Sequence, residues 1–290
     1  MPVLSLIANP ADPDFDTKLA QAVVAEIGGE LNWLNNGIAC DIIEPKAEDA
    51  LTLAREVIGS RAVDVNLVPT DGRRKQLLVA DMDSTMIEQE CIDELAAALN
   101  IKDKVAEITE RAMRGELDFE QALDTRVALL KGLNRAAMDE VRRGSITLMP
   151  GGRTLIQTMK AYGAYTSLVS GGFTFFADFF GKRIGFDEAI ANVLEFDGDN
   201  LTGTVSKPIV DKTTKRTRLE TLANEKGLSL SQTMAVGDGA NDLDMIAIAG
   251  MGVALHAKPV VAAAAGYRID HSDLTALLYL QGYDDEDLVR

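Results

Sequence analysis

The densest chemistry in the sequence is Asp81-Met82-Asp83-Ser84-Thr85, which follows the apolar run Leu77-Leu78-Val79-Ala80. A buried-type strand ending in a carboxylate places Asp81 at its tip, and Asp83 follows in the loop, so both acids can approach one point. Neighbouring carboxylates repel and raise each other's proton affinity. A divalent cation relieves that repulsion and favours the ionised form. A carboxylate is also a competent covalent nucleophile in phosphoryl transfer. The same residues would serve equally as an acidic loop that caps the next helix through Ser84 or Thr85. A calcium loop is disfavoured, because Met86 stands where such a loop needs glycine at its sixth position.

Three further groups carry chemistry. Gly237-Asp238-Gly239-Ala240-Asn241-Asp242 follows the apolar stretch from Met234. Its glycines allow sharp turns or close ligand approach, and its aspartates offer hard oxygen donors suited to Mg²⁺. A polar turn capped by Asp242 is the plainer reading. Ser170-Gly171-Gly172 lies between a strand and a helix, where a hydroxyl and backbone N–H groups can hold phosphate oxygens or simply cap the helix. Lys215 lies near the start of a helix, against the helix dipole. A cluster of aspartates and a bound phosphate would compensate it; so would plain solvent. Glu90 and Arg126, taken singly, read as surface charges, and Met113 and Phe119 as core residues.

The elements that must position these groups follow from periodicity. Strands are expected at 3–8, 63–68, 77–81, 165–169, 234–238, 253–255 and 267–269. Helices are expected at 15–27, 48–58, 153–162, 173–180, 214–226, 242–249 and 259–265. Two strand-like pieces surround Asn35-Asn36-Gly37, and a hairpin is expected at 192–196 and 201–205. Residues 1–72 thus read β-α-β-β-α-β, the order of a ferredoxin-like α+β unit. This stretch holds no cluster of chemical groups, and it is taken as a separate module. From 73 to 290 strands and helices alternate, which argues for an α/β, doubly wound, mainly parallel sheet with ligands at the strands' carboxyl ends. The helical stretch at about 90–148 is too long for a connection. It reads as a cap inserted over the site.

The whole-chain numbers agree with that picture. With 290 residues the chain has room for about two domains. Asp plus Glu outnumber Lys plus Arg 45 to 29, a net charge of −16. So acidic a chain repels nucleic acid, and it holds no basic patch of any length. No apolar run approaches the roughly 18 residues of a membrane span. The N-terminus lacks the basic residues of a secretory signal, and Cys40 and Cys91 read as two reduced thiols. The expectation is a cytoplasmic protein without nucleic-acid or membrane partners.

Taken in order, with a helical insertion after the first, the four groups resemble the catalytic motifs of the haloacid dehalogenase (HAD) superfamily of phosphatases. The resemblance covers about residues 76–280 and includes Glu90-Cys91-Ile92-Asp93-Glu94, Glu116-Leu117-Asp118-Phe119 and Arg126-Val127-Ala128 in the insertion. It implies a HAD-type fold with a helical cap and Mg²⁺-dependent hydrolysis of L-3-phosphoserine to L-serine, a step of serine biosynthesis. Asp81 would be the nucleophile and Asp83 the acid–base. Mg²⁺ would sit on the Asp81 carboxylate, the Asp83 carbonyl and Asp238. Ser170, Gly171, Lys215 and Asn241 would hold phosphate, with Asp242 supporting Lys215. In the cap, Glu90 would take the substrate's ammonium, Arg126 its carboxylate, and Met113 and Phe119 its apolar wall. Transfer to an alcohol such as homoserine, hydrolysis of another small phosphomonoester, and a non-catalytic sensor or scaffold are the alternatives. The N-terminal unit resembles the ACT fold, which implies ligand sensing or a homodimer contact.

Overall fold

In the computed structural model, which describes residues 2–113 and 116–290, the first strand, β1 (Pro2–Ala8), is apolar at almost every position because both its faces are covered. Leu4, Leu6 and Ala8 pack on α1 (Thr17–Ile27) and α2 (Ala50–Ile58). Helix α1 starts later than its apolar pattern suggests: Phe15 turns into this core, and Asp16 accepts the Leu19 N–H at 2.8 Å as N-cap. With β2 (Glu30–Asn35), β3 (Ala39–Ile43) and β4 (Val63–Pro69), the strand forms an antiparallel sheet of order β2-β3-β1-β4. That is the ferredoxin-like arrangement expected from element order.

The second sheet is built from continuous apolar strands, as parallel strands buried on both faces require. β5 (Leu77–Ala80) lies at its centre. From β5 the chain passes through α3 (Cys91–Ala98), α4 (Lys102–Met113), α5 (Phe119–Ala128), α6 (Arg135–Gly144) and α7 (Gly152–Ala161) to β6 (Tyr165–Phe173). Helix α8 (Thr174–Ile184) leads to β7 (Glu188–Asn192), and the hairpin β8 (Leu194–Asp197) and β9 (Asn200–Val205) leads to α9 (Lys212–Glu225). Then come β10 (Thr233–Gly237), α10 (Leu243–Ile248), β11 (Met251–Leu255), α11 (Pro259–Ala264), β12 (Tyr267–Ile269) and α12 (Ala276–Leu280). The sheet order is β12-β11-β10-β5-β6-β7, and every neighbouring pair is parallel. Successive strands run outward from β5 on one side, and the chain then returns to build β10 to β12 on the other.

Helices α3 to α6 leave and rejoin this sheet through a paired hinge. Ile87 bridges Leu148, and the Met149 N–H donates to the Met86 carbonyl at 3.0 Å. The hairpin β8–β9 braces α5 and α6: the Gly132 N–H meets the Leu201 carbonyl at 2.8 Å. Strand β7 has no counterpart among the expected elements. The pattern from 186 to 192 is broken by Asp187 and Glu188, whose carboxylates are held by Lys160 and Arg218.

The N-terminal unit is joined to the rest by one continuous core. On the face of its sheet opposite α1 and α2, Val3, Ile7, Leu34, Ala39 and Val68 belong to the same apolar cluster as Leu277, Leu280 and Tyr283. A buried ion pair crosses the junction, with Arg73 gripping Asp41 at 2.7 and 3.2 Å while donating to the Leu280 carbonyl. Removing one partner of such a pair strands the other charge. Arg73→Ala is therefore expected to cost roughly 3–5 kcal/mol, read as a lower urea midpoint. A midpoint equal to wild type would show that Asp41 finds water instead. Among the described residues, no helix is long and apolar enough to cross a membrane. Both cysteines are free and buried.

Candidate active site

The crevice lies at the carboxyl ends of β5 and β10, where strand order reverses, the usual place for a ligand in such a sheet. Asp81 leaves β5 there, its N–H donating to the Val236 carbonyl at 3.0 Å. Its Oδ1 accepts the Met82 N–H at 2.7 Å and pairs with Lys215 Nζ at 2.7 Å. Its Oδ2 meets Asn241 Nδ2 at 3.4 Å and is the less engaged oxygen among the described residues.

Lys215 is fully buried, one turn inside α9, where Asp211 caps the helix by accepting the Thr214 N–H. Its ammonium lies between Asp81 and Asp242, 2.6 Å from Asp242 Oδ1. Burial alone would discharge the lysine, but the two carboxylates override it and hold its pKa above the ordinary value. The solvent reading of Lys215 is thereby replaced by an ion-paired one. Asp242 does not cap α10; its Oδ2 accepts the Gly239 N–H at 3.0 Å instead.

Carboxylate oxygens of Asp81, Asp238 and Asp242 all lie within 4.8 Å of one another, and all three residues are buried. Burial and the Asp81 charge push Asp238 up to about 6 and Asp242 up to about 7. Three acids around one lysine leave negative charge uncompensated. Hard oxygen donors in that state suit a divalent cation such as Mg²⁺. The Asp83 side chain is not in this cluster. It turns to the first residue of α3, its Oδ1 accepting the Cys91 N–H at 3.0 Å. Its Oδ2 fits against Gly172, where an added Cβ would stand 2.6 Å away. Burial first, then the charges of Glu90 and Asp81, push the Asp83 carboxyl up to about 8.

Strand β6 does not end at Ser170, as the sequence pattern suggested, but continues in extended form to Phe173. Ser170 Oγ accepts the Gly172 N–H at 2.9 Å. The pairing with β7 shifts between Val169 and Phe173, which frees the backbone of 170–172 from the ladder. Asn192 anchors the freed segment: its Nδ2 donates to the Gly171 carbonyl at 2.8 Å, and its Oδ1 accepts the Val210 N–H at 2.8 Å. Sequence reasoning gives no role to Asn192 or to the Cys91 N–H. The signals in the sequence are an asparagine ending an apolar stretch and the position of Cys91 at the start of a helix that follows Asp83.

From the cap side, Glu90 immediately precedes α3 and accepts a hydrogen bond from Ser84 Oγ at 2.8 Å. Asp118 and Gln121 form a capping box that starts α5 at Phe119. The Phe119 ring occupies the space a Gly171 side chain would fill, with Cζ 3.1 Å from that Cβ position. Arg126, in the last turn of the same helix, bonds through Nε to the Ala122 carbonyl at 3.2 Å. Desolvation lowers its pKa, against the attraction of Glu90, Asp93 and Asp83. The guanidinium makes no ion pair among the described residues, so it faces the same acids without being consumed by them. The side chain of Met113 lies outside the described residues.

The haloacid dehalogenase-like hydrolase family model matches residues 78–247. Over 216 residues, 74% of this chain, the sequence is 49% identical to the phosphoserine phosphatase of Streptomyces coelicolor, but the match spans only 52% of that protein. It is 44% identical to a probable phosphoserine phosphatase of Schizosaccharomyces pombe, covering 82% of this chain and 81% of that protein. Among solved structures, a probable phosphoserine phosphatase from Vibrio cholerae superimposes with a TM-score of 0.80 at 31% identity, over 97% of this chain and 86% of that one.

Proposed function

The chain belongs to the haloacid dehalogenase-like hydrolase family, and from that premise we propose that it hydrolyses L-3-phosphoserine to L-serine and phosphate through an aspartyl-phosphate on Asp81. The observation that carries the reading is Asp81 held by buried Lys215 at a strand tip, with Asp83 two residues on and facing Gly172.

The first step is attack of an Asp81 carboxylate oxygen on phosphorus. Oδ2 is the candidate, because Oδ1 is already bound by Lys215 and the Met82 N–H. The P–O bond to the seryl oxygen breaks, and Asp83 gives that oxygen its proton. An unperturbed aspartate has a pKa of about 3.9 and would rarely hold a proton at neutral pH; Asp83, at about 8, does. In the second step the ionised Asp83 removes a proton from water, which attacks the aspartyl-phosphate and releases phosphate. Lys215, Ser170, Asn241 and the Gly171 N–H would surround the equatorial oxygens, where positive groups are worth most. Mg²⁺ would be held by the Asp81 and Asp238 carboxylates and the Asp83 carbonyl, with Asp242 reserved for Lys215. When bound, it neutralises phosphate charge that would otherwise repel the nucleophile.

The cap supplies substrate choice. Glu90 takes the ammonium, the planar Arg126 fork takes the carboxylate, and Phe119 closes the wall over Gly171. This assignment divides the chain into a module at 1–72 and a phosphatase unit at 73–290 with its cap at about 90–148, working in the cytoplasm. The test compares phosphoserine with phosphoethanolamine, which lacks the carboxylate. A charge-assisted hydrogen bond of roughly 1.5–3 kcal/mol corresponds to about ten- to hundredfold in kcat/KM. Wild type is expected to prefer phosphoserine by at least that factor, and Arg126→Ala to lose most of the preference. An unchanged ratio in R126A would remove the arginine from carboxylate recognition.

A further inference from the structure

The proposed site is crowded with negative charge. Asp81, Asp238 and Asp242 cluster within it, Glu90 stands on its cap side, and the chain as a whole carries −16. Lys215 is buried at the floor of the site between two of these acids, and Arg126 belongs to the cap. A phosphomonoester arrives close to a dianion at neutral pH. Its approach is opposed unless some cation faces the solvent side of the crevice.

Lys258 stands there. It follows β11 and immediately precedes α11, and its N–H donates to the carbonyl of Asp238 at 3.2 Å. The turn leading to it is fixed at two points. His256 takes a left-handed conformation, with φ at 44°, and its Nε2 lies 2.8 Å from the Ser272 carbonyl. Pro259 locks the first residue of α11. The backbone of Lys258 is thus tied to a proposed metal-binding acid, while its side chain is exposed and makes no ion pair among the described residues. Its charge also reaches the cap side of the crevice, where it favours the ionised form of Glu90.

We propose that Lys258 is a positioning residue at the mouth of the site, a guiding cation that attracts the phosphate dianion before Lys215 and the cap residues engage it. The inference rests on the phosphatase reading but extends it to a residue outside the four motifs. It acts through the field at the mouth and touches no reacting atom. A cation so placed raises encounter and loose binding and leaves the chemical step almost alone.

The test measures steady-state kinetics of the full chain with Mg²⁺, on L-phosphoserine and on p-nitrophenyl phosphate, at low and high ionic strength. Lys258→Gln is expected to lower kcat/KM by about three- to tenfold at low salt on both substrates, mostly through KM. Lys258→Glu should lower it further, and Lys258→Arg should restore it. Raising the salt should shrink the gap between wild type and K258Q, because screening erases the field of an exposed charge. A K258Q enzyme with wild-type kcat/KM at low salt overturns the proposal. So does a loss that falls on kcat and ignores salt, since that is the signature of a structural defect. If wild type cleaves p-nitrophenyl phosphate but not phosphoserine, the substrate assignment fails while the Lys258 comparison is still decided on p-nitrophenyl phosphate.

Discussion

Asp81→Asn is expected to abolish phosphoserine turnover, by roughly 10⁴-fold or more, as loss of a nucleophile that works as part of a unit does. Asparagine keeps the volume and the hydrogen bond from the Met82 N–H but has no charge with which to attack phosphorus. The fold should survive. Three buried acids crowd this point, so removing one charge relieves repulsion, and Lys215 keeps Asp242 as its partner at 2.6 Å. A thermal midpoint near wild type together with lost activity would place the defect in chemistry. Turnover near the wild-type rate in D81N would remove the covalent mechanism.

Asp83→Asn should be nearly as severe for phosphoserine, about 10²–10⁴-fold, the range for a general acid–base group. Its dependence on leaving group makes it diagnostic. A serine alkoxide needs a proton to depart, whereas p-nitrophenolate does not. With p-nitrophenyl phosphate, D83N should therefore release about one equivalent of nitrophenol in a burst and then stall, because water is no longer activated against the aspartyl-phosphate. The pH profile gives an independent check. The first step needs the protonated acid, and the Asp83 carboxyl sits at about 8. Wild-type kcat/KM should thus fall as pH rises through about 8, and that limb should be missing in D83N. A proportional loss on both substrates, with the limb retained, would assign the proton to another group.

The parts of the site that lie on strands were legible in the sequence. Leu77 to Ala80 is an unbroken apolar run because a central parallel strand has no polar face, so the first acid after it, Asp81, must be at a strand tip. The same reasoning found Asp238 after β10. Lys215 was marked by its unfavourable place near a helix start, and the structure supplies the compensation anticipated for it, two carboxylates within 2.7 Å. What stayed hidden depends on contacts between distant segments. Glu188 masks the β7 pattern because its charge is paired with Arg218 across the fold. The extension of β6 through Ser170-Gly171-Gly172 depends on Asn192, which no local pattern connects to Gly171. The docking of the N-terminal sheet was written in β1, apolar on both faces, but a strand apolar on both faces does not say what covers the second.

The central claim is metal-dependent phosphoserine hydrolysis, and the most direct test is phosphate release from L-phosphoserine by the purified full chain, with Mg²⁺, after EDTA, and after Mg²⁺ is returned. The buried acids Asp81 and Asp238 cannot accept an anionic substrate unaided. The account predicts rapid release with Mg²⁺, silence after EDTA and full recovery on adding Mg²⁺ back. Full activity in metal-free buffer, or no release of phosphate under any of the three conditions, would contradict it.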